Sequence, residues 1–516
     1  MATAVLLSLA VYLTGAGLFA AAQAIWVDES TQMSGLALPL DTQLAWLLRR
    51  SDVALGVPPD RMPPFSYWFG TVWSWGFGLT EMSMRWFGIV AVLLSAPAIY
   101  MTGRLAGGLA GAVFAIAFVF ASPSIMVHAV EIRTYPLFFC FSAWAVWSYM
   151  RLLHAPAAGY VWTLLILFLT GASYAHFYGL PLAGCLLFSL FVQRLWTRRA
   201  LWPVALAVLS YGVLWTGVIP FFLASLGSGR GEAEVVALAL SELLYGLGRL
   251  GFRHLFHPVL LASPVMLGLG LLGAMALAVL SLIRLRPDGP AAPGTPVAFV
   301  LLPLGLGFAG LAGLKVLLFL VGKNDLDPLV PHYNLWQLPL LVAFLACALR
   351  AGAGRFMAMG CATAVIAAKL WGVALLLQNP ATYTHGAAEW LADAIEDPPQ
   401  TLVIHEANGA WGSIFFPVNY LTGQQTTQWL RQSDGRVAQF GPRGMIPIAD
   451  PVTAQQDFAR VIEVHARNFV SRDLARITRG EATCDFRTPL TEAPGSTLDT
   501  YCAYVSAVRR ITDNAP

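Results

Sequence analysis

Residues 105–121, LAGGLAGAVFAIAFVFA, run into Ser122-Pro123-Ser-Ile-Met-Val-His128-Ala-Val-Glu131-Ile-Arg133-Thr-Tyr135-Pro136, and residues 136–153, PLFFCFSAWAVWSYMRLL, are apolar again. That alternation decides the fold. Apolar runs of about 18 residues read as helices that cross a bilayer. The polar stretch between them then lies at a membrane surface. Pro136 disfavours helix at Tyr135, so the following span is expected to start at Pro136.

The same pattern repeats along the chain. Of 516 residues, 57% are hydrophobic and 11% charged, with a mean hydropathy of +0.65. A soluble domain carries about 25% charge, so the composition excludes a soluble fold of this size. Spans are expected at residues 4–24, 84–103, 105–121, 136–153, 160–175, 177–193, 201–224, 259–283, 297–321, 334–349 and 356–377, about eleven in all. No charge precedes Asp28, and the first run reads as an uncleaved helix rather than a signal peptide. The net charge of +3, with no basic block, argues against a nucleic-acid partner.

Orientation follows from the arginines. With the N-terminus in the cytoplasm, the short loops on that side hold Arg104, then Arg151 with His154, then Arg194, Arg198 and Arg199, then Arg284 and Arg286, then Arg350 and Arg355. This satisfies the positive-inside rule. An odd number of spans then places the C-terminal segment outside. The expected class is an all-α polytopic membrane domain with a small C-terminal extracytoplasmic α/β domain. The membrane domain covers 1–377, with a first outer loop at 25–83. The soluble domain covers 378–516.

In the first loop, Phe65 to Phe77 follows Pro63-Pro64, a natural helix start. With Trp68, Trp73 and Trp75 it suits a helix lying in the headgroup plane. A second outer segment, 225–258, carries Arg230, Glu232, Glu234 and Glu242. In the tail, 387–397 reads as an amphipathic helix, Thr401–His405 as a strand and Asn408-Gly409 as a turn. Trp411–Leu421 reads as a second helix and Tyr501–Val508 as another strand. Cys140, Cys185, Cys347 and Cys361 lie in apolar runs and read as inert packing. Cys484 and Cys502 lie in the tail, where an extracytoplasmic compartment allows a disulfide between them.

Four polar clusters interrupt the apolar pattern: Asp28-Glu29; His128, Glu131, Arg133 and Tyr135; Tyr174, His176 and Tyr178; and Lys323, Asp325, Asp327, His332 and Tyr333. Taken singly, each can be a boundary marker, a loop-anchoring ion pair or an interfacial side chain. Under the topology above all four share the outer face. Acids and cations together suit a lipid-phosphate donor. A carboxylate can deprotonate an acceptor hydroxyl, and cations and helix N-termini can stabilise a departing phosphate. His128 and Glu131 have i,i+3 spacing, but Pro136 argues against helix there, and no metal-ligand motif is present. No metal or other cofactor is expected to be required.

These stretches resemble the GT-C superfamily of integral-membrane glycosyltransferases. They are most similar to bacterial family 39 enzymes, relatives of protein O-mannosyltransferases and of the lipid A aminoarabinose transferase. Trp26-Val-Asp28-Glu29 looks like the first-loop acidic motif. Arg61-Met-Pro63-Pro64-Phe-Ser-Tyr67 with Gly78-Leu-Thr-Glu81 and Arg85 looks like the family's Pro-Pro helix and its exit. Ser122-Pro123 through Tyr135 looks like the second-loop segment, and Pro331-His332-Tyr333 aligns with a Pro-Arg-Tyr segment. The similarity spans about residues 20–350; the tail matches only in kind. The resemblance implies inverting sugar transfer from a polyprenyl-phosphate donor to a glycan, lipid or protein acceptor, outside a bacterial cytoplasmic membrane. It implies Asp28 as base or acceptor ligand and Glu131 as the second-loop acid, with Glu29 the third catalytic candidate. Arg133 and Tyr135 would face the donor phosphate; Lys323, His332 and Tyr333 are further candidates for binding it, and Arg61, Pro64, Tyr67 and His176 are candidates for lining the substrate cavity. His332 replaces the usual arginine, and Val130 the usual glutamine. Two rival readings are a diphosphate-linked oligosaccharide transferase of the same fold and a lipid-linked sugar flippase.

Overall fold

The glycine pair inside the apolar run 105–121 reverses the chain. Gly107 and Gly108 take non-helical angles (φ −128, ψ 15 and φ 66, ψ −153). A Cβ on Gly103 would lie 2.5 Å from the Gly111 carbonyl oxygen, and one on Gly107 would lie 2.1 Å from that of Ala346. The two arms of this element therefore fold back on each other through their small residues. The turn falls three residues beyond Arg104, because only glycine adopts the required backbone and allows the close approach.

The computed structural model describes residues 2–51, 53, 55–156, 158–226, 240–283, 297–321, 327–352, 354–378, 387–393, 395–406, 412–432, 435–441, 444–454, 457–468, 486–488 and 499–506. Lys323, Cys484 with its expected disulfide, Arg284, Arg286, Arg230, Glu232, Glu234, Asn408-Gly409 and Trp411 lie outside the described residues.

The helices in chain order are α1 (Ala2–Ala21), α2 (Val27–Leu36), α3 (Leu40–Leu47), α4 (Phe65–Phe77), α5 (Glu81–Leu93), α6 (Ala96–Phe120), α7 (Pro123–Val130), α8 (Tyr135–His154), α9 (Gly159–Ala175) and α10 (Gly179–Trp196). They continue as α11 (Trp202–Trp215), α12 (Ile219–Leu226), α13 (Leu240–Leu255), α14 (Pro264–Ile283), α15 (Val297–Leu320), α16 (Gln337–Ala346), α17 (Arg355–Gln378), α18 (Ala387–Asp393), α19 (Gly412–Leu421) and α20 (Pro451–Ala454). Every run expected to span is helical. Among the described residues, seven helical stretches are long and apolar enough to cross a membrane by length and composition. One of them, Glu81–Phe120, contains the glycine reversal. The helix at Phe65–Phe77 matches the sequence reading, and Phe69, Val72, Trp75 and Phe77 leave its apolar side exposed.

The chain divides into two compact units. One holds Met1–Ala21, Arg61–Gly78 and Met82–Gln378. Arginines tie the loops at one end of its bundle. Arg350 Nε donates to the Ala106 carbonyl at 2.6 Å, and Arg194 donates to the Pro156 and Ala200 carbonyls at 2.9 and 2.7 Å. These are loops that the sequence assigns to the cytoplasmic side.

The other unit holds Ala22–Asp60, Leu79–Glu81 and Asn379–Pro516. Most of the first loop thus folds with the C-terminal segment. Its sheet has the order β4-β3-β2-β1-β5-β7-β6. The strands are β1 (Thr401–Glu406), β2 (Thr427–Arg431), β3 (Val437–Gly441), β4 (Gly444–Pro447), β5 (Arg460–Asn468), β6 (Phe486–Thr488) and β7 (Asp499–Ser506). β1 pairs parallel with β2 and β5; the remaining pairs are antiparallel. Alternation along β1 feeds two cores. Val403 packs with Leu391, Ile414 and Val418, while Leu402 and Ile404 pack with Trp429 and Val437. Asn419 Nδ2 on α19 donates to the Leu55 carbonyl, beside Gly56 at φ 64.

Candidate active site

The polar stretch 122–136 is held by its neighbours. Ser122 is extended at the N-cap and Pro123 starts α7, as its fixed φ and missing N–H allow. The helix runs through His128 to Val130. This corrects the expectation of no helix at His128. Pro136 restricts only the residue before it, and residues 131–134 separate it from α7. α8 likewise begins one residue early, at Tyr135, with Pro136 in its first turn.

Arg85, buried on α5, donates from Nη1 to the Val130 carbonyl at 3.2 Å. A cation there satisfies a terminal carbonyl and complements the helix dipole. Gly88 permits the approach, since a Cβ there would lie 2.2 Å from the Ala129 carbonyl oxygen. Glu131 then leaves the helix in extended conformation. His128 Nδ1 donates to Glu131 Oε2 at 3.1 Å, and Thr134 Oγ1 donates to the Ala175 carbonyl at the end of α9.

That last bond brings the third cluster in. His176 caps α9 in extended conformation. Its ring stacks on Phe138 at 5.1 Å and lies 6.0 Å from Tyr135. The Tyr178 amide donates to its Nδ1 at 3.2 Å. His176 Nε2 is buried without a hydrogen-bond partner. A buried donor left unmade costs about 1–3 kcal/mol.

The fourth cluster closes the group. Pro331–Asn334 form a 3-10 turn before α16. His332 lies 4.9 Å from Tyr135 and 5.5 Å from His128, ring to ring, and Tyr333 lies 5.2 Å from His176. Asp327 supports this turn. It accepts from Arg249 at 3.0 Å, pairs with Lys315 at 3.3 Å and accepts the Leu329 amide at 3.1 Å. Asn334 Nδ2 donates to the Pro328 and Val330 carbonyls, both at 2.9 Å.

Burial favours the neutral form of His332 and of His176. Close packing, then His128, His176, Arg133 and Arg253, hold the His332 imidazole well below its ordinary pKa. Burial, then Arg133, lowers His176 to about 3. His332 therefore offers a neutral ring where an arginine would offer fixed charge.

Of the four clusters, the described residues of the last three meet in one unit. Asp28 and Glu29 fold with the other unit, in the first turn of α2. Glu29 is buried, and its Oε2 accepts the Trp26 amide at 3.4 Å, a cap that closes the helix N-terminus. Asp28 is half-buried. Tyr67 and Pro64 are buried and Arg61 half-buried at the start of α4, whose Phe65 packs on Tyr174 at 4.9 Å and on Phe141 at 6.1 Å. Cys502 lies in β7, in register with His465.

Sequence reading missed Arg253, His254 and Gln337. Ser124 Oγ donates to the Arg253 carbonyl at 3.3 Å, and His254 Nε2 donates to Gln337 Oε1 at 3.1 Å. The available signal was four-residue spacing, with Gly246, Leu250 and His254 forming the buried stripe of α13. Lys369, inside the apolar run 356–377, is fully buried. It lies 3.3 Å from Ser122 Oγ and 3.9 Å above the Phe118 ring. Among the described residues, no group of three or more His, Cys, Asp or Glu side chains could hold a metal ion.

No family model matches the chain, and no curated protein matches it. Solved structures do. ArnT from Cupriavidus metallidurans bound to undecaprenyl phosphate matches with a TM-score of 0.52 at 14% identity, over 97% of each chain. The apo state of ArnT from Cupriavidus metallidurans matches with a TM-score of 0.55, also at 14% identity and over 97% of each chain. The Archaeoglobus fulgidus oligosaccharyltransferase in complex with Zn and sulfate is more distant. Its TM-score is 0.43 at 10% identity, over 78% of this chain and 59% of that one. At 14% identity the ArnT likeness is one of fold: the chain shares a helical architecture of membrane-spanning type with a small C-terminal sheet.

Proposed function

We propose that the protein transfers a sugar from a polyprenyl-phosphate donor to an acceptor hydroxyl on a glycan, lipid or protein, with inversion at the anomeric carbon. One observation carries the reading. Glu131 with His128, Arg133 and Tyr135 meet His176 and the His332-Tyr333 turn in an apolar bundle whose fold is shared by a protein that binds undecaprenyl phosphate. A charge held at membrane depth is costly unless it is paired or used.

The acceptor oxygen attacks the anomeric carbon as the bond from that carbon to the phosphate oxygen breaks. The bonding electrons leave with the phosphate, and the acceptor proton passes to Asp28. Glu29, its carboxylate engaged in the helix cap, serves geometry rather than proton transfer. Glu131 assists at the second loop. Arg133 carries the fixed charge facing the donor phosphate. Tyr135, Tyr333 and neutral His332 add hydrogen bonds there, and Lys323 adds a second cation. Arg61, Pro64 and Tyr67 line the substrate cavity. No metal enters this scheme. The site belongs to the outer face of a bacterial cytoplasmic membrane, with the C-terminal unit outside.

The test is transfer of labelled sugar from a polyprenyl-phosphate donor by the reconstituted full chain. Asp28→Asn should lower turnover by about 10²-fold or more, the usual effect of losing a general base. Turnover near wild type would remove Asp28 from that role. Uptake of the lipid-linked sugar with no covalent transfer would instead favour the flippase reading.

A further inference from the structure

His176 is fixed in a way that a packing residue does not need. Because the Tyr178 amide donates to Nδ1, the ring proton sits on Nε2. That N–H is buried and unpartnered. Phe138, stacked at 5.1 Å, and the edge of Tyr178 at 5.3 Å hold the ring in place. It cannot turn to find another acceptor without losing the Nδ1 bond.

The surroundings describe the ligand. Tyr135 and His176 are buried, and Tyr178, His332 and Tyr333 are half-buried. The cluster is a set of aromatic rings around one buried, unpartnered N–H. A pyranose ring offers apolar C–H faces that stack on aromatic rings, and oxygens around its edge. An ammonium cannot face Nε2, since both would donate. We propose that the His176 Nε2–H binds an oxygen, hydroxyl or ring oxygen, of the donor's sugar, with Tyr178 and Tyr333 as stacking walls and no ammonium at that position of the sugar.

This rests on the proposed sugar transfer, and the test separates the two. Binding of polyprenyl phosphate with and without its sugar is measured on the reconstituted full chain, alongside kcat and KM. In His176→Phe, which keeps a ring but loses the N–H, affinity for the sugar-bearing lipid should fall about tenfold. Affinity for the sugar-free lipid should stay within about twofold. His176→Gln, which can return an N–H to the Nε2 position, should recover most of the loss. Equal losses for both lipids, or no loss, would overturn the proposal, as would a wild-type chain that binds neither lipid. A wild type that prefers the sugar-bearing lipid but transfers nothing would sink the transfer reading and leave the subsite standing.

Discussion

Arg85 lies outside the proposed reacting group and holds the end of the helix that leads into it. Its guanidinium holds the Val130 carbonyl one residue before Glu131, so the exit of α7 depends on it. Arg85→Met would leave a buried carbonyl without this charged donor, a loss of about 1.5–3 kcal/mol. The variant should unfold at lower temperature, and its kcat/KM should fall about tenfold or more as Glu131 loses its frame. Arg85→Lys should recover part of both. Unchanged kcat/KM in Arg85→Met would show that the carbonyl contact is dispensable. At this scale the sequence was informative wherever a polar side chain interrupted an apolar run: Glu131, Arg133, Tyr135, His176 and the His332-Tyr333 pair all announced themselves that way. Arg253 and His254 did not, because they sit in a segment that alternates charge with leucine and reads as a loop.

Elements were legible in proportion to their apolar length. The spans and the aromatic helix α4 follow directly from runs and prolines. α2 was hidden because Glu29, Ser30, Thr31, Gln32 and Ser34 are all buried, so it has no apolar stripe to reveal it. β2, β3, β4 and β6 were missed because each has five residues or fewer, and β5 because its pairing with β1 is non-local. The glycine reversal in α6 was read as a loop at Arg104, since positive φ leaves no mark on hydropathy. In the sheet, His405 Nε2 donates to Gln428 Oε1 at 2.7 Å while Gln428 Nε2 donates to the Phe415 carbonyl at 2.9 Å, joining β1, β2 and α19. Burial lowers His405 to about 4 from 6.5. The unfolded chain therefore binds the extra proton between those values. Stability of this unit should be full above pH 6.5 and fall by about 1.4 kcal/mol per pH unit from 6.5 to 4. His405→Leu should start lower and lose that slope. Denaturation of the full chain across pH checks it, and an identical slope in the variant would contradict the assignment.

The membrane unit distributes its polar groups unequally. One end of the membrane unit gathers arginines that cap loop carbonyls: Arg194 and Arg350. The acid, the neutral histidines and the tyrosines gather in the turns 131–135, 176–178 and 331–333. Composition alone required the bilayer, and charge patterning gave an expected orientation. The partition of the first loop was not legible, because contacts between residues 22–60 and the tail leave no local signature. The central claim is lipid-linked sugar transfer. Its most direct test is mass analysis of lipid-linked sugars and surface glycans in a strain lacking the gene. The account predicts that a polyprenyl-phosphate sugar accumulates while one sugar disappears from a surface molecule, both reversed by the wild-type chain and not by Asp28→Asn. Unchanged lipid-linked sugars together with intact surface glycans would contradict it.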